Sequence, residues 1–174
     1  MSSENTSTLS VSDLKVYYDS VNGDIKAVDG ISFDVKEGEC LGIVGESGCG
    51  KTTAAYGILR LVQHPGKIVG GQISLHGKPI ENLNEESFRK IRATELALIP
   101  QGAMNSLNPT MKVGKQITDL IDTHKPGISS SEKISRIEEL LGKVGLPNRT
   151  INMYPHELSG GMKQRVCIAI GIAL

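Results

Sequence analysis

A glycine-rich segment early in the chain has the residue types and the spacing that bind a chain of phosphates. It reads Gly45-Glu46-Ser47-Gly48-Cys49-Gly50-Lys51-Thr52 and fits the pattern G-x-x-x-x-G-K-[ST]. Glycines let the backbone turn tightly, so that successive N–H groups point at anionic oxygens. Lys51 can place a positive charge on the β- and γ-phosphates, and the Thr52 hydroxyl can ligate Mg²⁺. The alternative is a glycine turn that carries an ordinary surface lysine.

A second segment, later in the chain, could also bind an anion. It reads Leu158-Ser159-Gly160-Gly161-Met162-Lys163-Gln164-Arg165. Its serine has the chemistry of a helix N-cap, and its two glycines allow a close approach of the backbone. We predict a helix from Gly161 to Ala173, and the start of a helix offers free N–H groups to an anion. The alternative is a capped helix that binds nothing.

The elements predicted around the first segment would aim it at a phosphate. Cys40 to Val44 is a short apolar run that predicts a buried strand, and Thr53 to Leu61 predicts a helix. A strand, a loop and a helix in this order point a helix N-terminus at the phosphate oxygens. This context favours phosphate binding over the surface-lysine alternative.

The rest of the chain predicts a mixed α/β domain. Alternating apolar residues indicate half-buried strands at Leu14 to Tyr18, Ile31 to Val35 and Ile73 to Leu75, and a compact apolar run indicates another at Leu96 to Ile99. Helices are predicted at Asn84 to Thr94 with Asn84 as the cap, at Met111 to Thr123, and after the capping box Ser129-x-x-Glu132. Residues 102–158 therefore look like a helical insertion in a nucleotide-binding domain.

Composition excludes several classes of function. The 19 basic and 19 acidic residues give a formal net charge of zero, so we expect no nucleic-acid partner. No apolar run approaches the roughly 18 to 20 residues of a membrane span, and the polar N-terminus carries no signal peptide. The 3 cysteines show no ligand spacing, which indicates a reducing compartment and no metal site built from cysteine.

Together, the two motifs resemble those of the ABC-type ATPases. In that family a Walker A loop and an LSGG signature face each other across a head-to-tail dimer and sandwich ATP. Lys51 and Ser159 lie 108 positions apart, which suits a transporter ATPase and not the chromosome-maintenance relatives, whose long coiled coils separate the motifs. The resemblance runs from about Leu14 to Leu174. It implies a P-loop NTPase fold with an antiparallel β subdomain and a helical insert, with the C-terminal part of the family fold missing.

The sequences of four segments resemble those of the ATPases of dipeptide and oligopeptide importers. They are Ala27 to Phe33, Gly45 to Thr52, Ser106 to Pro109 and Tyr154 to Met162. Nickel importers and some sugar importers share much of the sequence of these segments, so the segments do not decide which substrate is transported. The resemblance implies an energy-coupling subunit that is cytoplasmic and peripheral on the inner face of the membrane. Its partners would be a second ATPase subunit, identical or different, and a membrane permease.

The resemblance also implies a role for each matching residue in an MgATP site. Lys51 and Gln101 would be catalytic, Thr52 and Gln101 would reach Mg²⁺, and Tyr18 would stack on adenine, with Tyr17 as its rival. The triphosphate would lie in the cradle of Gly45, Glu46, Ser47, Gly48, Cys49, Gly50, Lys51, Thr52 and Thr53. The ATP of the other subunit would be met by the signature residues Ser159, Gly160, Gly161 and Met162.

The implied domains are a nucleotide-binding core at 1–101 and 159–174 and a helical subdomain at 102–158. After the phosphate loop, no apolar run ends in Asp-Glu, so the general base and the aspartate that supports Mg²⁺ are missing from these 174 residues. We therefore expect little ATP hydrolysis by this chain alone, and expect that it associates with a partner or is part of a longer protein. Two alternatives stay open: a non-hydrolysing nucleotide-binding fragment, and another phosphate-loop enzyme such as a kinase, against which the signature argues.

Overall fold

The computed structural model describes residues 7–92, 94–100, 102 and 105–174. These residues fall into two units, the first ending at Phe88 and the second beginning at Arg89. The first unit contains an antiparallel sheet and the helix that follows the phosphate loop. The second unit is helical. Among the described residues, no helix combines the length and the apolar character needed to cross a membrane.

The sheet of the first unit has four strands in the order β2-β1-β3-β4. They are β1 (Leu9–Tyr18), β2 (Ile25–Val35), β3 (Gly66–Leu75) and β4 (Lys78–Pro79), and every pair is antiparallel. The three strands predicted from alternation are confirmed. Each begins earlier than the apolar pattern indicated, because pairing with neighbouring strands also recruits polar residues such as Gln72 of β3, which lies opposite Ser12 of β1.

Helix α1 (Lys51–Ile58) packs on the central strand of the sheet. Leu14 and Val16 of β1 are fully buried. At Gly57 of α1, a Cβ atom would lie 2.9 Å from the Val16 side chain, so the glycine lets helix and strand approach closely. The helix ends before the predicted Leu61, since the backbone turns at Arg60 with φ +52°. This packing fixes the helix whose N-terminus closes the phosphate loop.

The strands predicted at Cys40 to Val44 and at Leu96 to Ile99 are wrong. Neither segment forms a ladder with any described residue, and Leu96 makes only an isolated bridge to Arg92. Ile43 and Val44 are 51% and 93% exposed. An apolar run predicts burial, but a strand forms only where a neighbouring strand satisfies its backbone groups.

The second unit is built from helices around one apolar core. Helix α2 (Glu85–Ile91) spans the boundary between the units, and α3 (Val113–His124), α4 (Ser130–Lys143), two 3₁₀ turns (Asn148–Asn152 and Pro155–Glu157) and α5 (Gly160–Gly171) follow. The caps predicted at Asn84 and Ser129 are confirmed. Asn84 Oδ1 accepts from Ser87 N at 2.8 Å, and Ser129 and Glu132 form the reciprocal capping box. Helix α5 packs against α3 and α4. The subdomain boundaries predicted at 101/102 and 158/159 stay a prediction.

Candidate functional site

The phosphate loop ends in a glycine that no other residue can replace without strain. Gly50 is the N-cap of α1 and has φ +94°. A Cβ atom there would lie 2.2 Å from the carbonyl oxygen of Ala27 on β2, too close for any side chain. No side chain of the described residues caps α1, and its first turn carries no acidic residue. The first N–H groups of α1 are therefore available to an anion.

The ammonium group of Lys51 is folded back over the loop. Its Nζ donates to the carbonyl oxygens of Gly45 at 2.8 Å and Glu46 at 2.6 Å, and lies 3.4 Å from Cys49 Sγ. In the part of the chain that the structure describes, no carboxylate forms an ion pair with it. Its positive charge is thus held at the loop by neutral groups, which leaves the charge free to balance phosphate.

A cavity of about 220 Å³ lies between the loop and β2. Its polar side carries Lys51, Gly50 and Cys49, and its apolar side includes Ile43 and Val44. Sites that enclose a whole ligand measure roughly 300 to 1,000 Å³. A cavity of this size suits only part of a ligand. Thr52, the predicted Mg²⁺ ligand, lies exposed in the first turn of α1. A hydroxyl there fits a hard cation, which prefers oxygen ligands.

The two tyrosines at the end of β1 have different surroundings. The Tyr17 hydroxyl donates to Asp29 Oδ1 at 2.5 Å, and Lys26 lies 3.2 Å from Asp29 Oδ2 and 5.4 Å from the centre of the Tyr17 ring. The bond to Asp29 raises the pKa of Tyr17 above the ordinary tyrosine value, and the same bond, with help from Lys26, holds the pKa of Asp29 below its usual range. The Tyr17 hydroxyl is therefore already engaged in a hydrogen bond with Asp29.

Tyr18 instead packs beside a glycine of the neighbouring strand. It is half-buried and lies opposite Gly66 of β3, where a Cβ atom would come within 2.7 Å of the tyrosine ring. The absent side chain at Gly66 makes room for this ring. The role of Tyr18 at adenine stays a prediction.

The signature segment begins α5 with an exposed serine cap. Ser159 Oγ accepts from Met162 N at 3.3 Å, which confirms the predicted N-cap. Ser159, Gly160 and Gly161 are exposed, no acidic residue lies in the first turn, and nothing lies within 4 Å of the position where a Cβ of Gly161 would be. The first residues of α5 therefore lie on the surface of the second unit, where a ligand could reach them.

The structure brings the predicted site residues together in two groups. Residues 45–53 form one group in the first unit, and residues 159–162 form the other in the second unit. Gln101 lies outside the described residues, and its role stays a prediction. Sequence reasoning missed the wall that β2 contributes to the phosphate loop, because the approach of Ala27 to Gly50 depends on tertiary packing and leaves no local signal.

Comparison with known proteins gives one consistent result. The sequence profile described as "ABC transporter" matches residues 28–174. The oligopeptide transport ATP-binding protein OppD of Bacillus subtilis is 42% identical over 171 residues, which are 97% of this chain and 48% of that protein. The dipeptide transport ATP-binding protein DppD of Escherichia coli is 40% identical over 167 residues, 95% of this chain and 51% of that protein. The chain thus spans about half the length of the curated relatives it matches.

Solved structures agree with the sequence matches. The dimeric structure of MJ0796, a bacterial ABC transporter cassette, superimposes with a TM-score of 0.83 at 28% identity, covering 95% of this chain and 69% of that chain. A dimeric post-hydrolysis state of the ATP-binding cassette MJ0796, bound to ADP and Pi, gives a TM-score of 0.82 at the same identity and coverage. The described structure therefore has the fold of these cassettes.

Proposed function

The chain belongs to the ABC transporter family, and we propose that it is part of the ATP-binding, energy-coupling subunit of a dipeptide or oligopeptide importer. The relatives at 40% and 42% identity are named for dipeptide and oligopeptide transport, which supports this substrate class over nickel or sugars. The observation that carries the proposal is the loop around Lys51, whose ammonium group rests on the Gly45 and Glu46 carbonyls without a carboxylate partner among the described residues.

The proposed ligand of the first unit is MgATP. The loop from Gly45 to Thr53 would hold the triphosphate with backbone N–H groups, and Lys51 would move from the loop carbonyls onto the γ-phosphate. Mg²⁺ would neutralise part of the phosphate charge when bound. Thr52 and Gln101 would hold it, with Gln101 also orienting the attacking water. Tyr18 would stack on adenine, where its aromatic face contributes dispersion.

We further propose that a second subunit completes the site. The exposed start of α5, with Ser159, Gly160, Gly161 and Met162, would meet the γ-phosphate of ATP held by the neighbouring copy. The accessibility of Ser159 supports this arrangement. The other partner would be a membrane permease, which would hold the subunit on the inner face of the membrane. Both identical and different ATPase pairs fit the chain.

Hydrolysis would require groups outside these residues. ATP hydrolysis is a trait of the family, but residues 1–174 include no apolar run ending in Asp-Glu after the phosphate loop. The isolated 174-residue chain would then bind nucleotide and turn over little of it, because the Asp-Glu motif whose carboxylate would activate water is not among these residues. This is also the behaviour of the second candidate, a non-hydrolysing nucleotide-binding fragment.

The first test is the loss of nucleotide binding in Lys51→Ala, measured by titration of a fluorescent ATP analogue with Mg²⁺. We expect the affinity of the full-length protein to fall at least about tenfold, because removal of one charge-assisted contact to phosphate costs about 1.5 kcal/mol or more. Lys78→Ala, an exposed lysine on the short strand β4, is the matched control and should bind as the wild type does.

Equal affinity in Lys51→Ala and Lys78→Ala would overturn the phosphate-loop assignment. The same titration on the 174-residue chain, followed by a phosphate-release assay, tests its proposed inactivity. Steady turnover that disappears in Lys51→Ala would contradict that part of the proposal.

A further inference from the structure

Arg165 links the end of one helix to the start of another. Its Nη1 donates to the carbonyl oxygen of Gly145 at 2.8 Å, 20 residues earlier in the chain. Its Nε lies 3.4 Å from the carbonyl oxygen of Gly161, in the first turn of its own helix α5. The bond to Gly145 is short and is donated by a charged group, whereas the contact to Gly161 is close to the limit for a hydrogen bond.

The Gly145 carbonyl is held in a fixed orientation by the way α4 ends. Gly145 has φ +67°, its N–H donates to the Gly142 carbonyl at 3.0 Å, and the N–H of Leu146 donates to the Leu141 carbonyl at 2.8 Å. These two bonds define a Schellman motif, in which the left-handed residue is normally glycine. Because Leu141 is fully buried, this helix end is anchored in the core of the second unit.

At the start of α5, the one apolar side chain of the first turn that packs against the core is the partly buried Met162. The buried residues nearest to this turn are Leu158, just before the cap, and Val166, almost two turns into the helix. The residues between them are exposed or half-buried, and two of them are glycines, which lose much conformational entropy when they are ordered. A guanidinium group that spans the two helices is well suited to hold this turn, because its N–H donors are fixed in a planar fork.

We propose that Arg165 is a positioning residue for the signature segment. By joining the first turn of α5 to the fixed carbonyl at the end of α4, it holds Ser159, Gly160 and Gly161 in the orientation in which their N–H and hydroxyl groups meet the triphosphate of a neighbouring copy. This inference rests on the proposed function. The guanidinium itself touches backbone carbonyls and acts on nucleotide through Ser159 and the glycines.

The direct test is amide hydrogen exchange of the full-length protein without nucleotide. Arg165→Lys keeps the charge but loses the fork, so exchange at Lys163 to Arg165, whose N–H groups close the first turn, should speed up by a factor on the order of three to ten. Arg136→Lys is the matched control, since Arg136 on α4 forms an ion pair with Glu139 of the same helix and, among the described residues, makes no hydrogen bond to the first turn of α5. Equal exchange at Lys163 to Arg165 in the two variants would overturn the proposal.

The second measurement separates positioning from simple loss of stability. In Arg165→Lys, the nucleotide-dependent dimer should dissociate about tenfold more readily, whereas the affinity of the monomer for MgATP should match that of Arg136→Lys. A parallel fall in the affinity of the monomer for MgATP would overturn the proposal. If the wild type fails to dimerise with nucleotide, the proposed function fails, and the exchange measurement still decides whether Arg165 holds the turn.

Discussion

Gly50 shows how a single residue sets the geometry of the phosphate loop. Its left-handed backbone places it within reach of β2, and a Cβ atom at this position would lie only 2.2 Å from the Ala27 carbonyl oxygen, which leaves no room for a side chain. The loop, the start of α1 and the edge of the sheet therefore meet at one point. Lys51 directly follows Gly50, and its ammonium group donates hydrogen bonds to the Gly45 and Glu46 carbonyls.

We predict that Gly50→Ala destabilises the protein and removes nucleotide binding. Both the positive φ and the clash with Ala27 oppose the substitution, so the free energy of unfolding should fall by roughly 2 kcal/mol or more in a denaturant titration. Gly48→Ala is the control, because Gly48 has φ +81° but nothing within 4 Å of its Cβ position.

That control should lose only about 1 kcal/mol, the cost of the left-handed backbone alone. If Gly50→Ala proved no more destabilising than Gly48→Ala, the close approach of the loop to β2 would be refuted.

At the scale of elements, local hydrogen bonds determine where helix α4 of the second unit begins and ends. Helix α4 begins with the capping box of Ser129 and Glu132, in which Ser129 N donates to Glu132 Oε2 at 3.0 Å and Glu132 N donates to Ser129 Oγ at 3.3 Å. The hydrogen bonds from Ser129 hold the pKa of Glu132 below its usual range. The helix ends at the Schellman motif of Gly145. Both ends are therefore fixed by local hydrogen bonds.

We predict that Ser129→Ala lowers the free energy of unfolding by about 1 kcal/mol at neutral pH, since it removes an N-cap. Ser130→Ala, one residue into the helix, is the control and should change it little. The folded-state pKa of Glu132 is depressed, so its stabilising effect is present above the unfolded-state pKa and is lost as the pH falls through the folded-state pKa.

The difference between Ser129→Ala and the wild type should therefore narrow in denaturant titrations as the pH is lowered through the acidic range. A difference that stays constant or widens with acidification would show that Glu132 takes no part in the cap.

The elements that the sequence predicted correctly are those with local signals. The caps at Asn84 and Ser129 and the alternation in β1 depend on residues within a few positions of one another. The strands predicted at Cys40 to Val44 and Leu96 to Ile99 failed because strand formation depends on distant partners, and none is present among the described residues. The bridge from Arg165 to Gly145 was missed for the same reason, as it joins residues 20 positions apart.

At the scale of the whole molecule, the proposed function requires two copies. We propose one anion site around Lys51 in the first unit and another capped by Ser159 in the second unit. A solved relative with the same fold, MJ0796, is dimeric and in one state binds ADP and Pi. The chain covers 48% to 51% of the length of the curated transport relatives described above. We propose that each ATP lies between the Lys51 site of one copy and the Ser159 site of the other.

The most direct test is the effect of Ser159→Arg on the mass of the full-length protein in solution, measured by sedimentation with a slowly hydrolysed ATP analogue and Mg²⁺. The wild type should change from monomer to dimer as nucleotide is added, alone or mixed with the subunit that pairs with it. Ser159→Arg should remain monomeric while binding nucleotide with unchanged affinity, and Asn22→Arg, in an exposed turn of the first unit, should dimerise normally. If nucleotide leaves the mass of the wild type unchanged, or if Ser159→Arg dimerises as well as Asn22→Arg, the account is contradicted.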